Sequence, residues 1–213
     1  MKILHRLLFS LVVAASGALF AAEKAPDVLV RQASDEVLAI IKNDKDIQGG
    51  DRKKIMDLVE AKILPHFDFT RITQLAVGKH WRSATPEQKQ ALVKEFRTLL
   101  VRTYSFAITS YRDQTFDVKP GVINGDEATV KVQINQPSGQ PILIDYSMGK
   151  SVQEWKIYDV VVGGISLVTS YRSSFNNEIN RAGIDGLIKT LVDKNQRLES
   201  GAEKPASLQV QKK

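Results

Sequence analysis

Asp145 beside Tyr146, and Tyr158 beside Asp159, are the residue types that a proton-transferring pocket would use. A carboxylate abstracts a proton next to a ketone carbonyl while a phenol donates to the oxyanion that develops. Adjacent strand residues point to opposite faces, so only one of each pair is expected to face any one cavity. The plainer account has the tyrosines packed and the carboxylates solvated or salt-bridged. A secreted isomerase or dehydratase acting on a small apolar ketone stands as the alternative function. His66 with Asp68 could polarise a nucleophile, as a Ser, His and Asp arrangement requires, but no Gly-X-Ser-X-Gly turn completes it. Asp68 capping a helix beside a surface His66 is the preferred account of the pair. The other histidines are His5 and His80. Asp44 and Asp46 lie close together without the pattern of a calcium loop, and no cysteine is present. No catalytic residue, metal or cofactor is therefore expected.

Elements that would position these residues can be read from periodicity. A helix starts near Pro26, a residue suited to a first turn, and buries Val30, Ala33, Val37, Ile40 and Ile41. Asp51 is a candidate N-cap for a second helix with the stripe Ile55, Leu58, Val59 and Ile63, which Pro65 stops. A short helix is expected over Phe69 to Val77. Thr85, Pro86, Glu87 and Gln88 place a cap, a first-turn proline and a capping-box partner in order, so a long helix starts there. Its apolar arc widens from Leu99 through Tyr111, which calls for apolar partners on more than one side.

Beyond Arg112 the period changes to two. Phe116 and Val118, then Ala128 to Ile134, Ile142 to Met148 and Trp155 to Val162 read as four antiparallel strands separated by turn residues. Val160, Val161 and Val162 abandon alternation, as a strand buried on both faces would. Two further helices follow, Ser166 to Ala182 with Gly183 as C-cap, and Asp185 to Asn195. The fold class is α+β, a four-stranded antiparallel meander covered by helices.

The ends of the chain set the compartment. Lys2, His5 and Arg6 precede an apolar run from Leu7 to Phe20, shorter than the roughly 20 residues of a membrane span. Residues 1–21 therefore read as a cleaved secretory signal peptide. The expected domain is 22–195, and 196–213 is expected to be a disordered tail. The net charge of +6 includes Lys2 and Arg6, so the mature chain is near +4. That mild excess suits an anionic membrane or acidic protein surface, while export and the lack of a basic run disfavour nucleic acid.

Several motifs occur in order: Phe67-Asp68-Phe69, Leu75 to Lys79, Trp81-Arg82, Thr85 to Gln88, Arg102-Thr103-Tyr104, Tyr111-Arg112, Asp145 to Met148, Trp155 to Val160, Gly164 to Val168 and Tyr171-Arg172. Together they resemble the MlaC family, the periplasmic component of the lipid-asymmetry and toluene-tolerance ABC transport system, from about Ala25 to Asn195. The resemblance implies a cone-shaped apolar cavity reminiscent of nuclear-transport-factor-2-like (NTF2-like) domains and a bound phospholipid as cargo. It also implies exchange of that lipid with an outer-membrane lipoprotein–porin complex and with an inner-membrane ABC transporter bearing an MCE-domain ring. Such a carrier would reside in the periplasm as a monomer and help maintain outer-membrane lipid asymmetry.

No motif marks the lipid ligands, so periodicity selects them. Leu100, Tyr104, Ile108 and Tyr111 of the long helix, Ile142, Ile144 and Tyr146 of the third strand, and Val160, Val162 and Val168 are expected around the acyl chains. Arg97, Arg102 and Lys150 are the candidates for the headgroup.

Overall fold

The computed structural model describes residues 24–105, 113–152 and 154–203. The expected signal peptide, Ile108 and Tyr111 lie outside them. Helix α1 (Pro26–Asn43) starts on its proline, α2 (Lys45–Gln48) is capped by Asp44, and α3 (Arg52–Leu58) is capped by Asp51, whose Oδ1 accepts the Lys54 amide at 3.0 Å. The chain then widens into a π-helical turn, Val59–Ile63, and tightens into a 3₁₀ turn, Leu64–His66. A plain α-helix through Ile63 was the expectation. The departure ends at Pro65, which can neither donate an amide hydrogen nor fit against the preceding turn.

Asp68 caps α4 (Phe69–Val77), accepting the Arg71 amide at 2.8 Å, and a 3₁₀ turn (Gly78–Arg82) leads to α5 (Pro86–Tyr104). Both bonds of the capping box form: Thr85 Oγ1 accepts the Gln88 amide at 3.2 Å, and Gln88 Oε1 accepts the Thr85 amide at 3.0 Å. The final helical span, α6 (Leu167–Ser200), consists of two helices that meet at Gly183, where the chain leaves helical geometry as expected. Gly183 has φ 72° and ψ −177°, a conformation that side chains strongly disfavour. The helix continues past Asn195, into the stretch expected to be disordered. Leu198 extends the buried stripe of Leu187 and Leu191, and left-handed Gly201 ends it.

Among the described residues the sheet has six strands, all antiparallel: β1 (Thr115–Val118), β2 (Val122–Asn124), β3 (Glu127–Asn135), β4 (Ile142–Lys150), β5 (Trp155–Val162) and β6 (Ile165–Ser166). Its order is β1-β3-β4-β5-β6, with β2 also paired to β3. The four expected strands are its long members. β1 and β2 share one edge of β3, facing Val132 to Asn135 and Glu127 to Thr129 respectively. Pro120, which cannot donate to a ladder, falls between them.

One irregularity decides which residues face inward. Ser147 pairs with Asp159 but Met148 with Ile157, so Tyr158 is an extra residue, a β-bulge. The bulge shifts the parity of β5. Trp155 and Ile157 face inward before it, and Val160 and Val162, opposite Tyr146 and Ile144, face inward after it. The valine run does not mark a strand fully buried on both faces: Val160, Val161 and Val162 are all only partly buried.

Apolar packing divides into separate cores. The helical core joins Ile72, Ala76, Leu92, Phe96, Leu99, Phe175 and Leu187 from α4, α5 and α6, with Phe96 edge-on to Tyr171 and Phe175 at 4.9 and 4.8 Å. The sheet core joins Val118, Val130, Val132, Ile144, Met148, Trp155 and Ile157 with Leu29 and Val30 of α1. A small third cluster ties α1, α2 and α3 through Ile41, Ile47, Ile55 and Leu58. Phe67 touches both large cores. Among the described residues no helix is long and apolar enough to cross a membrane.

Candidate functional site

Between the helical and sheet cores lies a partly open cleft of about 240 Å³. Its helical wall is Ile72, Phe96, Leu100, Val101, Tyr104 and Ser105, with Leu167 and Val168 from the start of α6. Its sheet wall is Ile144 and Tyr146 of β4 and Tyr158, Asp159, Val160 and Val162 of β5. The irregular segment after α3 closes one side through Val59, Ile63, Leu64, Phe67 and Phe69, the two phenyl rings stacking at 5.9 Å. The lining is hydrocarbon and aromatic apart from two polar side chains and the tyrosine hydroxyls. Such a surface favours an apolar guest, because the groups it takes from water have no hydrogen bonds to lose.

Asp159 lines the cleft but is held by the fold. Its Oδ1 accepts the Val160 amide at 2.8 Å and the Val168 amide at 3.1 Å, and its Oδ2 accepts the Ser166 hydroxyl at 2.6 Å. The bulge brings Tyr158 and Asp159 to the same cavity, contrary to the expectation that adjacent strand residues must part. Burial and the neighbouring Glu127 carboxylate push the Tyr158 phenol up. Arg71 lies over that ring, 3.6 Å from its centroid, and pairs with Glu127 at 2.8 Å. Gly149 makes room for it, since a Cβ there would meet Arg71 Nη1 at 2.2 Å. Tyr146 faces inward and Asp145, paired with Lys131 and Val161, faces outward. Burial raises the Tyr146 phenol to about 12.

The remaining chemical candidates are not brought together. Asp68 caps α4, and burial, then Lys156, lowers the pKa of His66, which is not part of the cleft lining. His80 Nε2 meets Asn176 Oδ1 at 3.1 Å. Asp44 and Asp46 both hold Lys54, at 2.9 and 2.7 Å. No group of three or more metal-ligating side chains occurs among the described residues.

Seven residues selected by periodicity line the cleft: Leu100, Tyr104, Ile144, Tyr146, Val160, Val162 and Val168. Ile142 does not; it packs on the sheet core opposite Ile134. The three headgroup candidates are not part of the lining either. Arg97 pairs with Glu60 and lies 5.7 Å from the Phe69 ring centroid. Arg102 donates to the Asn195 carbonyl at 2.5 Å and pairs with Glu199 at 3.1 Å, and Lys150 lies 6.0 Å from the Trp155 ring centroid. Periodicity missed the wall from Val59 to Phe69, because those residues line the cleft through a break in helical geometry. Pro65 followed by two phenylalanines around a cap is the signal that could have exposed it.

Fold and cleft define an α+β domain in which a sheet and a helical layer stand apart around an apolar binding cleft. The chain belongs to the MlaC family: the family model described as MlaC protein matches residues 31–193. It is 28% identical over 172 residues to the intermembrane phospholipid transport system binding protein MlaC of Haemophilus influenzae, covering 78% of this chain and 80% of that protein. It is also 28% identical over 182 residues to a toluene tolerance protein of Pseudomonas putida, covering 84% of each. Among solved structures it resembles a phospholipid-binding protein from Ralstonia solanacearum in complex with a phospholipid. That likeness has a TM-score of 0.76 and 38% identity, and covers 83% of this chain and 99% of that one.

Proposed function

We propose that the protein is a periplasmic phospholipid carrier that shelters acyl chains in the cleft between its two cores. The observation that carries this reading is a lining of aliphatic and aromatic side chains whose carboxylate is fully engaged by the fold. The named activities of the relatives point the same way. Each buried methylene is worth about 0.8 kcal/mol, so a two-chain lipid crossing water unshielded would cost on the order of 20 kcal/mol. A cleft that replaces the lost hydrocarbon contact removes most of that barrier without any chemical step.

In this reading residues 1–21 direct export and are removed, and the carrier works as a monomer. It exchanges lipid between an outer-membrane lipoprotein–porin complex and an inner-membrane ABC transporter with an MCE-domain ring, maintaining outer-membrane lipid asymmetry. Leu100, Tyr104, Ile144, Tyr146, Val160, Val162 and Val168 surround the chains, with the irregular wall from Val59 to Phe69 beside them. The test is organic extraction of protein purified from a secreting host, followed by mass spectrometry. Phospholipid at near-stoichiometric amount is expected. Protein that is ligand-free and takes up no phospholipid from vesicles would overturn the reading.

A further inference from the structure

Nearly every polar side chain in the cleft has a place in the protein's own structure. Asp159 receives three donors, and Ser105 Oγ donates to the Val101 carbonyl. The hydroxyl of Tyr104 lies beside that of Tyr171, and Tyr158 lies beside Glu127. The exception is Tyr146. Its ring stands on the inward face of β4 between Ile144 and Met148, opposite Val160 on one side and Val130 on the other. It lines the cleft half-buried, and its hydroxyl makes no hydrogen bond among the described residues.

A guest that fills the cleft cuts this donor off from water, and a donor left there without an acceptor costs free energy, so the site discriminates against guests that cannot satisfy it. Burial alone pushes this phenol up to about 12, so at neutral pH it is an uncharged donor. A phospholipid carries two kinds of strong acceptor. The phosphate is charged, and among the described residues no cationic side chain lines the cleft to receive it. The acyl ester carbonyls are neutral and sit at the junction where the hydrocarbon begins. Only the second kind matches a neutral donor inside an apolar wall.

We infer that Tyr146 is the specificity-determining residue of the cleft, donating its phenolic hydrogen to an acyl ester carbonyl of the bound lipid. The inference rests on the carrier reading. It makes the cleft selective for ester-linked lipids over ether-linked lipids of equal hydrophobicity, a distinction that burial of methylenes alone would not produce.

The test compares delipidated wild-type protein with Tyr146→Phe, which removes one oxygen atom and leaves the ring. Each is titrated with a diacyl phosphatidylglycerol and with its dialkyl ether analogue of the same chain length, both in mixed micelles. Wild type is expected to prefer the diacyl lipid by about three- to tenfold. Tyr146→Phe is expected to bind both lipids alike. The infrared carbonyl band of the bound diacyl lipid should lie at lower frequency in wild type and move back in Tyr146→Phe. Equal binding of the two lipids by wild type, or a preference that survives in Tyr146→Phe, overturns the assignment alone. Binding of neither lipid by wild type overturns the carrier reading and the assignment with it.

Discussion

A carboxylate placed in the cleft should turn lipid retention into a function of pH. Val162 pairs with Ile144 and Ile165 and lines the cleft while only partly buried. In the empty protein a Val162→Glu side chain keeps contact with water, so the fold should survive. With acyl chains in place the carboxyl is enclosed and must be neutral. From an ordinary value of about 4.3, neutralising it at pH 7 costs about 3.7 kcal/mol, at about 1.36 kcal/mol per pH unit. Burying the neutral acid adds about 1–3 kcal/mol. Affinity should therefore fall by about three and a half to five orders of magnitude at pH 7. At pH 4.5 the first cost nearly vanishes, leaving a loss of roughly ten- to a hundredfold. Val162→Gln, which cannot titrate, should lose about the same amount at both pH values. Lipid content after purification at each pH is measured by mass spectrometry, with thermal unfolding as the check on folding. Wild-type lipid content in Val162→Glu at pH 7 would refute the reasoning, as would an identical loss at pH 7 and 4.5. Ile144→Glu should lose lipid equally at pH 7 but cost more stability, because Ile144 is only 7% exposed and belongs to the sheet core.

Asp159→Ala removes the acceptor that ties the β5 bulge to the start of α6, and should cost about 2–4 kcal/mol in urea denaturation. A loss below about 0.5 kcal/mol would contradict that role. Gly149→Ala should cost about 0.5–1 kcal/mol by driving the mobile end of Arg71 off Tyr158 and Glu127, and almost nothing in an Arg71→Ala background. Additive effects of the two substitutions would reject the account, because both act through the same Arg71 contacts. The Tyr146 phenol ionises at about 10 in the unfolded chain and about 12 in the folded one, so its contribution is intact below pH 10 and lost between pH 10 and 12. Wild type should lose about 3 kcal/mol more than Tyr146→Phe across that window, followed by chemical denaturation. Parallel losses in the two proteins would contradict the burial of the hydroxyl.

Much of the fold is written in local chemistry. Thr85 to Gln88 form their capping box, Asp51 and Asp68 cap the helices they precede, and the alternation from Ala128 to Met148 yields the registered pair β3 and β4. In each case the signal lies within a few residues, and the hydrogen bonds it makes are equally short in range. The inward face of β4 was legible for the same reason, and with it Ile144 and Tyr146.

The cleft itself was not legible at that range. Alternation and helical stripes report which side of an element is apolar, but not whether two apolar sides meet or stand apart. The gap between the helical and sheet cores depends on Phe67 touching both, on the π-helical turn from Val59 to Ile63, and on the bulge at Tyr158. That bulge reverses the parity of β5, so three consecutive valines that suggest burial on both faces instead place Val160 and Val162 on the cleft and Val161 on the outer face. Asp159 is likewise ambiguous in sequence and becomes structural only when Ser166 and Val168 fold back onto it. Residue type and spacing thus determined the elements, their caps and their apolar faces, because those depend on neighbours along the chain. Tertiary structure alone decided that the faces enclose a cleft and which residues line it, because that depends on how far apart separately packed layers come to rest.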